Sequence, residues 1–247
     1  MRRETDLAAI KSLAKALLML EPEETAFSPM VVKHPFTDSG IVGIRKENGE
    51  LGIVNIMEHP EDLKVWRDIC RQMIDQSETV MEVAGMITKP YAFGFLKYAE
   101  DHLSKRDLSH MLSAFWTMTE SPNQDPNLSK QELVRLFRKS DPAVLMDAEE
   151  LEQLHGLADT VTIYRGVRSS RPGNVEALSW TLNKKTAEWF AHRFGRDGNV
   201  YEARIDRDHI LAVFNSRNEA EVIVDPNYLR DVTPVQTMQH TQEMIGG

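Results

Sequence analysis

The stretch Asn218-Glu219-Ala220-Glu221-Val222-Ile223-Val224 decides how this chain is interpreted. Its last three residues are all β-branched, which favours a strand. Successive side chains of a strand point to opposite faces, so Glu219 and Glu221 are expected on one face, roughly 7 Å apart along the backbone. An edge strand with two solvated acids would explain this stretch taken alone. The sequence upstream of it favours a chemical role for the pair.

The composition is that of an ordinary globular protein, with 41% hydrophobic and 27% charged residues among 247. A net charge of −9 disfavours a large phosphate-binding surface, and with it nucleic acid as a partner. The single cysteine, Cys70, excludes an intramolecular disulfide, and the histidines lack metal-ligand spacing, so no metal site is predicted. Residues 8–20 fit an amphipathic helix rather than a signal peptide or membrane span. We therefore expect a cytoplasmic protein without a membrane partner, while delivery into another cell stays open.

The hydrophobic pattern changes along the chain from helical to strand-like. Residues 5–20 predict a first helix, and residues 41–56 predict a β-hairpin around an Asn48-Gly49 turn. Further helices are predicted from Pro60 onward, at 91–103, 107–119, 130–139 and 147–157. From Thr160 strand-like runs dominate, with one helix near 184–194. The predicted class is α+β, with a hairpin and helical region of unassigned role at 1–104 and a second domain at 105–247. Within that second domain, helices are expected at 105–157 and a β-rich core at 158–247.

The first motif upstream of the paired acids is Val161-Thr162-Ile163-Tyr164-Arg165-Gly166-Val167, a β-branched strand with an Arg-Gly step. Gly166 would let a ligand approach the backbone closely, because glycine has no Cβ. Arg165 offers a planar fork suited to a phosphate or a carboxylate. An arginine at a strand end is usually solvated, so this motif carries little weight alone.

The second motif is Ala177-Leu178-Ser179-Trp180-Thr181-Leu182. On a strand, Ser179 and Thr181 share a face and Trp180 takes the other. The following segment reads as a helix that Asn183 or Thr181 can cap. Capping alone would account for these hydroxyls, so the motif gains meaning only together with the other two.

The three motifs together resemble the arginine–serine–glutamate branch of the mono-ADP-ribosyltransferases, the superfamily of the cholera-like and clostridial toxins. The matched residues are Tyr164-Arg165-Gly166, Ser179-Trp180-Thr181 and Glu219-Ala220-Glu221, which follow one another in the family's order and cover roughly the last third of the chain. Small bacterial and phage-encoded transferases are similar in this region. The best-known members have Ser-Thr-Ser as the middle motif, where this chain has Trp180 and Thr181. Arg165 stands where a poly-ADP-ribose polymerase-like protein would have histidine, which disfavours that branch.

The resemblance implies a reaction and roles for the two acids. NAD would be the substrate: its nicotinamide–ribose bond is cleaved and ADP-ribose passes to an acceptor. Glu221 would stabilise the oxocarbenium-like ribose, in parallel with glycoside hydrolysis. Glu219 would orient, and could deprotonate, the acceptor; a Glu at this position goes with arginine acceptors in the family. The loop 214–218 corresponds in position to the acceptor-recognition loop, and Phe214 is the residue expected to contact the acceptor there.

The resemblance also implies a fold and an NAD-binding set. The core would consist of two small, mostly antiparallel sheets around an NAD cleft. Arg165 would grip the phosphates or a ribose, Ser179 would hold Glu221 in place, and Thr181 would support the strand or a ribose. The complete set predicted to bind NAD is Arg165, Gly166, Ser179, Thr181 and Glu221.

Several functions fit this pattern. The leading hypothesis is an NAD-dependent mono-ADP-ribosyltransferase acting on a protein side chain, with arginine as the favoured acceptor and the target protein open. The alternatives are an NAD glycohydrolase on the same fold, with water as acceptor, and a binding or structural protein that retains the fold without the chemistry. The presence of Arg165, Ser179 and Glu221 argues against the last alternative. The acidic composition disfavours a DNA-modifying member.

Overall fold

The computed structural model describes residues 4–45, 49–120, 122, 125–168, 175–193 and 197–235. The chain forms two compact units, the first comprising Met1–Ser129 with Lys139–Leu145 and the second Lys130–Arg138 with Met146–Gly247. Both contain helices and small antiparallel sheets, so the protein is mixed α+β as predicted. The predicted boundary between residues 104 and 105 falls inside the first unit, and a division at that point stays a prediction.

The elements follow the predicted order closely. The α-helices are α1 (Leu7–Leu18), α2 (Pro60–Gln76), α3 (Val80–Ala84), α4 (Ala92–Ala99), α5 (Lys105–Met118), α6 (Lys130–Lys139), α7 (Pro142–Leu145), α8 (Ala148–Gly156) and α9 (Lys184–His192). The strands are β1 (Glu23–Glu24), β2 (Val31–His34), β3 (Thr37–Ser39), β4 (Ile41–Arg45), β5 (Leu51–Asn55), β6 (Thr160–Arg168), β7 (Ser179–Thr181), β8 (Gly198–Asp206), β9 (Ile210–Phe214), β10 (Glu221–Val224) and β11 (Arg230–Pro234). Among the described residues, none of these helices has the length and apolar character needed to cross a membrane.

The predicted hairpin is present in the first unit. β4 pairs antiparallel with β5, from Ile41 opposite Asn55 to Arg45 opposite Leu51. Gly49 has φ +84°, the left-handed conformation that an Asn-Gly turn requires. Asn48, the other turn residue, lies outside the described residues.

A buried histidine marks the core of the first unit. His34 is 1% exposed; its Nε2 lies 3.1 Å from the carbonyl oxygen of Leu20, and its Nδ1 accepts a hydrogen bond from the Phe36 N–H at 3.1 Å. A donor at Nε2 and an acceptor at Nδ1 describe the neutral imidazole. Burial lowers the pKa of His34, because the charged form would lose its hydration. The fold thus keeps this side chain neutral.

The second unit is built on a six-stranded antiparallel sheet in the order β11-β8-β6-β7-β10-β9. Among the described residues, β6 and β8 pair along nine residue pairs, whereas β6 and β7 share one pair, Tyr164 opposite Thr181. The resemblance predicted two small sheets, whereas the described strands form one six-stranded sheet, because β6 pairs with β7 and so connects two groups of three strands. β10 lies between β7 and β9 in the second group.

Helix α9 packs on the sheet over two glycines. A Cβ on Gly166 would lie 2.1 Å from the carbonyl oxygen of Ala187 and 2.5 Å from the nitrogen of Ala191. A Cβ on Gly198 would lie 2.3 Å from the carbonyl oxygen of Ala191. The expectation that Gly166 admits a ligand is therefore wrong for its Cβ side, because the backbone of α9 already fills that space.

Candidate active site

The paired acids Glu219 and Glu221 lie in segments with different backbone conformations. β10 begins at Glu221, and the strand predicted for residues 222–224 is present. Glu219 belongs to the preceding turn, in which Asn218 and Ala220 have φ of +56° and +44°. The expectation that both acids share a strand face is therefore wrong, because the left-handed residue between them breaks the alternation.

Glu221 is buried at the start of β10. Its side chain accepts a hydrogen bond at Oε1 from the hydroxyl of Ser179, and the residue is 7% exposed. The strand register explains this contact: Glu221 lies opposite Thr181, so Ser179, two residues away on β7, presents its side chain to the same face. The contact that the resemblance implied between Ser179 and Glu221 is present in the structure.

The Arg165 side chain extends from β6 to β7, the strand that carries Ser179. Its Nη1 donates a hydrogen bond to the backbone carbonyl oxygen of Ser179, and the residue is partly buried. Burial lowers the pKa of Arg165 to about 10, while the negative charge of Glu221 acts in the opposite direction. The guanidinium is still protonated at neutral pH. A cation, a hydroxyl and a buried carboxylate from three separate stretches of chain therefore meet here.

Thr181 uses its hydroxyl for the backbone. The Oγ1 atom donates to the carbonyl oxygen of Glu219 at 2.6 Å and accepts from the N–H of Asn183 at 3.0 Å, and the residue is 6% exposed. Of the two residues predicted to cap α9, Asn183 is the N-cap, and its side chain accepts from the Lys185 N–H at 2.9 Å. Of the two roles expected for Thr181, the structure supports the one toward the strand, since the hydroxyl fixes the turn that carries Glu219.

Glu219 has an arginine beside it that the sequence did not single out. The Arg217 Nε lies 3.8 Å from the Glu219 Oε2, with the two side chains 36% and 24% exposed. Both side chains are partly exposed, whereas Glu221 is buried. The signal available in the sequence was the Arg-Asn-Glu spacing, which means little unless the turn is known.

A second buried acid, Glu150 in α8, binds the start of the loop between β9 and β10. Glu150, which is 6% exposed, accepts from the N–H of Asn215 at 2.7 Å and from the N–H of Asp147 at 3.0 Å. The Asn215 side chain also donates to Gln153 Oε1 at 2.6 Å. The Asp147-x-x-Glu150 spacing predicts the capping box that starts α8, but not the contact with Asn215. Helix α8 therefore fixes the first residue after β9.

Phe214 does not belong to the loop. It is the last residue of β9, is 3% exposed, and its ring lies 6.5 Å from that of Phe137 on α6. The expectation that Phe214 contacts an acceptor is not met by this position, because its ring is part of the core. The exposed loop residues are Ser216, Arg217 and Asn218.

The structure thus gathers Arg165, Ser179 and Glu221 at one place and holds Glu219 in the adjoining turn through Thr181. Gly166 and Phe214 serve the packing of the sheet instead. Comparison with protein-family models, with curated proteins and with solved structures found no match.

Proposed function

We propose that this chain is an NAD-dependent mono-ADP-ribosyltransferase that transfers ADP-ribose to an arginine side chain of a protein. The observation that supports this most directly is the convergence of Arg165, Ser179 and Glu221 from β6, β7 and β10. These are the residues matched to the family's three motifs, and nothing in their sequence separation requires them to meet.

Glu221 is the residue on which the chemistry depends. Cleavage of the nicotinamide–ribose bond leaves positive charge on the ribose, and a fixed carboxylate stabilises that charge more in the transition state than in the ground state. The hydroxyl of Ser179 fixes the Glu221 carboxylate. Burial strengthens the electrostatic effect because water screens the charge less.

Arg165 supplies the positive charge for NAD. One nitrogen of its guanidinium donates to the carbonyl oxygen of Ser179, which orients the planar group next to Glu221. A planar, permanently charged fork is suited to the phosphates of a dinucleotide. In this proposal NAD lies where the two groups of three strands are joined, with Arg165 on one group and Glu221 on the other.

Glu219 serves the acceptor. Its side chain is partly exposed, and its backbone is held by Thr181. A guanidinium is protonated at neutral pH and becomes a nucleophile only if a base removes a proton as the new bond forms. A partly exposed carboxylate two residues before the buried Glu221 in the chain is suited to that step.

The test is incubation of the purified protein with NAD labelled in its adenylate phosphate and a cell lysate. Wild type is compared with Glu221→Gln and with Glu152→Gln, a matched change at an exposed acid of α8. We expect label on a discrete protein band with wild type and Glu152→Gln but not with Glu221→Gln, and release of the label by reagents that cleave arginine linkages. Nicotinamide release without labelled protein would contradict transfer and favour the glycohydrolase. The absence of NAD consumption would contradict the whole proposal.

A further inference from the structure

The outer side of α9 exposes an aromatic side chain between two cations. The inner side is formed by Ala187 and Ala191, which are buried against the sheet. Trp189 lies on the opposite side of the helix and is 59% exposed. Lys185 lies one turn before it and Arg193, the C-cap residue, lies one turn after it. These three residues form the α9 face.

The Trp189 ring is held in place at the surface. Its centroid lies 5.0 Å from that of the Phe190 ring in an edge arrangement. The guanidinium carbon of Arg193 lies 5.8 Å from the Trp189 ring and 5.1 Å from the Phe190 ring, where it is attracted by the aromatic faces. A side chain positioned in this way loses little conformational freedom when a partner covers it. Trp and Arg are also the residues that contribute most to protein–protein binding, so the α9 face is suited to contact another protein.

Lys185 gives the α9 face a positive charge that the helix does not need. It is the second residue of α9, and a cation in the first turn of a helix is unfavourable because the amino end of a helix is already positive. Within the described ranges Lys185 forms no ion pair, although Glu188 lies one turn further along. The protein as a whole carries a net charge of −9, which disfavours nucleic acid as the partner of this face. A protein that the α9 face attracts is therefore one that presents carboxylates.

Helix α9 begins beside the turn that carries Glu219. The N–H of Asn183, the N-cap of α9, donates to Thr181 Oγ1, and that hydroxyl donates to the carbonyl oxygen of Glu219. Trp189 follows about 9 Å further along the helix axis. We propose that the α9 face docks the protein that accepts ADP-ribose, by contact with an acidic patch near the acceptor arginine. This inference rests on the proposed function.

The experiment compares two synthetic peptides as acceptors for the full chain with labelled NAD. Each peptide contains one arginine followed by a short Gly-Ser spacer and a block of glutamates in one peptide or of glutamines in the other. We expect the kcat/KM of wild type to be at least about tenfold higher for the glutamate peptide, and this preference to shrink as salt is added. Equal kcat/KM values for the two peptides would overturn the inference.

Lys185→Glu separates docking from an effect on folding. A carboxylate in the first turn of α9 interacts favourably with the helix, so the thermal unfolding midpoint should not fall. The preference for the glutamate peptide should fall at least about fivefold, because the substitution reverses the charge at this position. Lys105→Glu, a matched change at an exposed first-turn lysine of α5, should keep the wild-type preference. An unchanged preference in Lys185→Glu, or an equal loss in Lys105→Glu, would overturn the inference.

Trp189→Ala tests the aromatic part of the α9 face. The kcat/KM for the glutamate peptide should fall about tenfold, whereas Tyr98→Ala, at an aromatic residue of α4 that is 66% exposed, should leave it unchanged. Transfer to agmatine, a small guanidine without an acidic patch, should proceed in Trp189→Ala as in wild type. An equal loss of transfer to agmatine would show that Trp189 acts on the chemistry and would overturn its role in docking.

Agmatine also separates the two proposals. Label on agmatine but on neither peptide would overturn the docking and leave the transferase. Nicotinamide release without label on any acceptor would contradict transfer, and the absence of nicotinamide release would contradict the whole proposed function. Either of these last two results would overturn the docking as well.

Discussion

Two regions of the second unit each bury one glutamate, but they satisfy it in different ways. Glu150, in the first turn of α8, is 6% exposed, and its oxygens accept from two backbone N–H groups, those of Asp147 and Asn215. Glu221, at the start of β10, is 7% exposed and is met by the hydroxyl of Ser179 and the charge of Arg165. Burial alone does not distinguish these acids. An acid held by backbone donors stabilises the fold, whereas one met by side chains from separate strands has the surroundings of a reactive group.

The largest effect is expected for Glu221→Gln, which tests the reactive side of the comparison. The amide keeps the shape of the side chain but cannot stabilise positive charge on a ribose, so the rate of nicotinamide release should fall at least about a hundredfold. The thermal unfolding midpoint should stay close to that of wild type. The two measurements are made on the same preparation, and a collapse of the unfolding transition would instead assign Glu221 to the fold.

Gly166→Ala should give the next largest effect, this time on stability. The added methyl group would collide with the backbone of α9, so the free energy of unfolding should fall by about 2–3 kcal/mol. The matched control is Gly156→Ala in α8, where a Cβ would meet nothing within 4 Å. Denaturant titration of the two variants measures the two free energies of unfolding. Equal stability would mean that Gly166 is free for a ligand, as first expected from the sequence.

Glu150→Gln tests the structural side directly. The amide NH₂ would face one of the two backbone N–H groups from which the carboxylate accepts hydrogen bonds. The free energy of unfolding should therefore fall by about 2 kcal/mol. Glu152→Gln, at an exposed position of the same helix, should be neutral. Denaturant titration gives both values, and an unchanged stability would show that the backbone contacts of Glu150 contribute little.

Ser179→Ala should have a smaller effect on the reaction. It removes the hydroxyl from Glu221 but leaves the backbone carbonyl that binds Arg165, so nicotinamide release should slow by about tenfold. Ser216→Ala, in the exposed loop, serves as the control. Initial rates at saturating NAD measure the effect, and a wild-type rate would show that Ser179 does not position Glu221.

The smallest effect concerns His34 in the first unit, a buried group that the fold keeps neutral. Its pKa is lowered by burial, so as the pH falls below its ordinary value of about 6.5 the unfolded chain takes up the proton first. The free energy of unfolding therefore decreases as the pH falls below that value, by at most about 1.4 kcal/mol per pH unit from this group. His34→Asn should flatten the dependence of unfolding free energy on pH between 7 and 5, while His110→Asn at an exposed site of α5 should not. An identical slope in both variants would contradict the burial effect.

Local patterns of the sequence predicted the elements of the fold well. The hairpin around Gly49, the strand after Glu221 and the helix capped by Asn183 each depend on a few neighbouring residues, and all three are present. The contact between Ser179 and Glu221 followed from the resemblance, because strand alternation alone could not say that β7 and β10 are neighbours.

The predictions were wrong where the position of a residue depends on a partner distant in sequence, or on a backbone conformation that the residue type does not indicate. Nothing about Ala220 signals a left-handed residue, yet its φ of +44° removes Glu219 from the strand. The space above Gly166 is filled by a helix about twenty residues further along, and Phe214 is buried by Phe137, which is far away in sequence. The pairing of Arg217 with Glu219 depends on the same turn, so it could not be read from the sequence either.

Pairing along the sheet of the second unit is uneven. Among the described residues, β6 and β8 pair at nine positions, whereas the β6–β7 register is Tyr164 opposite Thr181. The hydrogen bond from Arg165 to the Ser179 carbonyl oxygen crosses the same junction. Arg165 and Glu221 lie on opposite sides of this junction, so the contact that joins the two groups of three strands also fixes the guanidinium relative to the carboxylate.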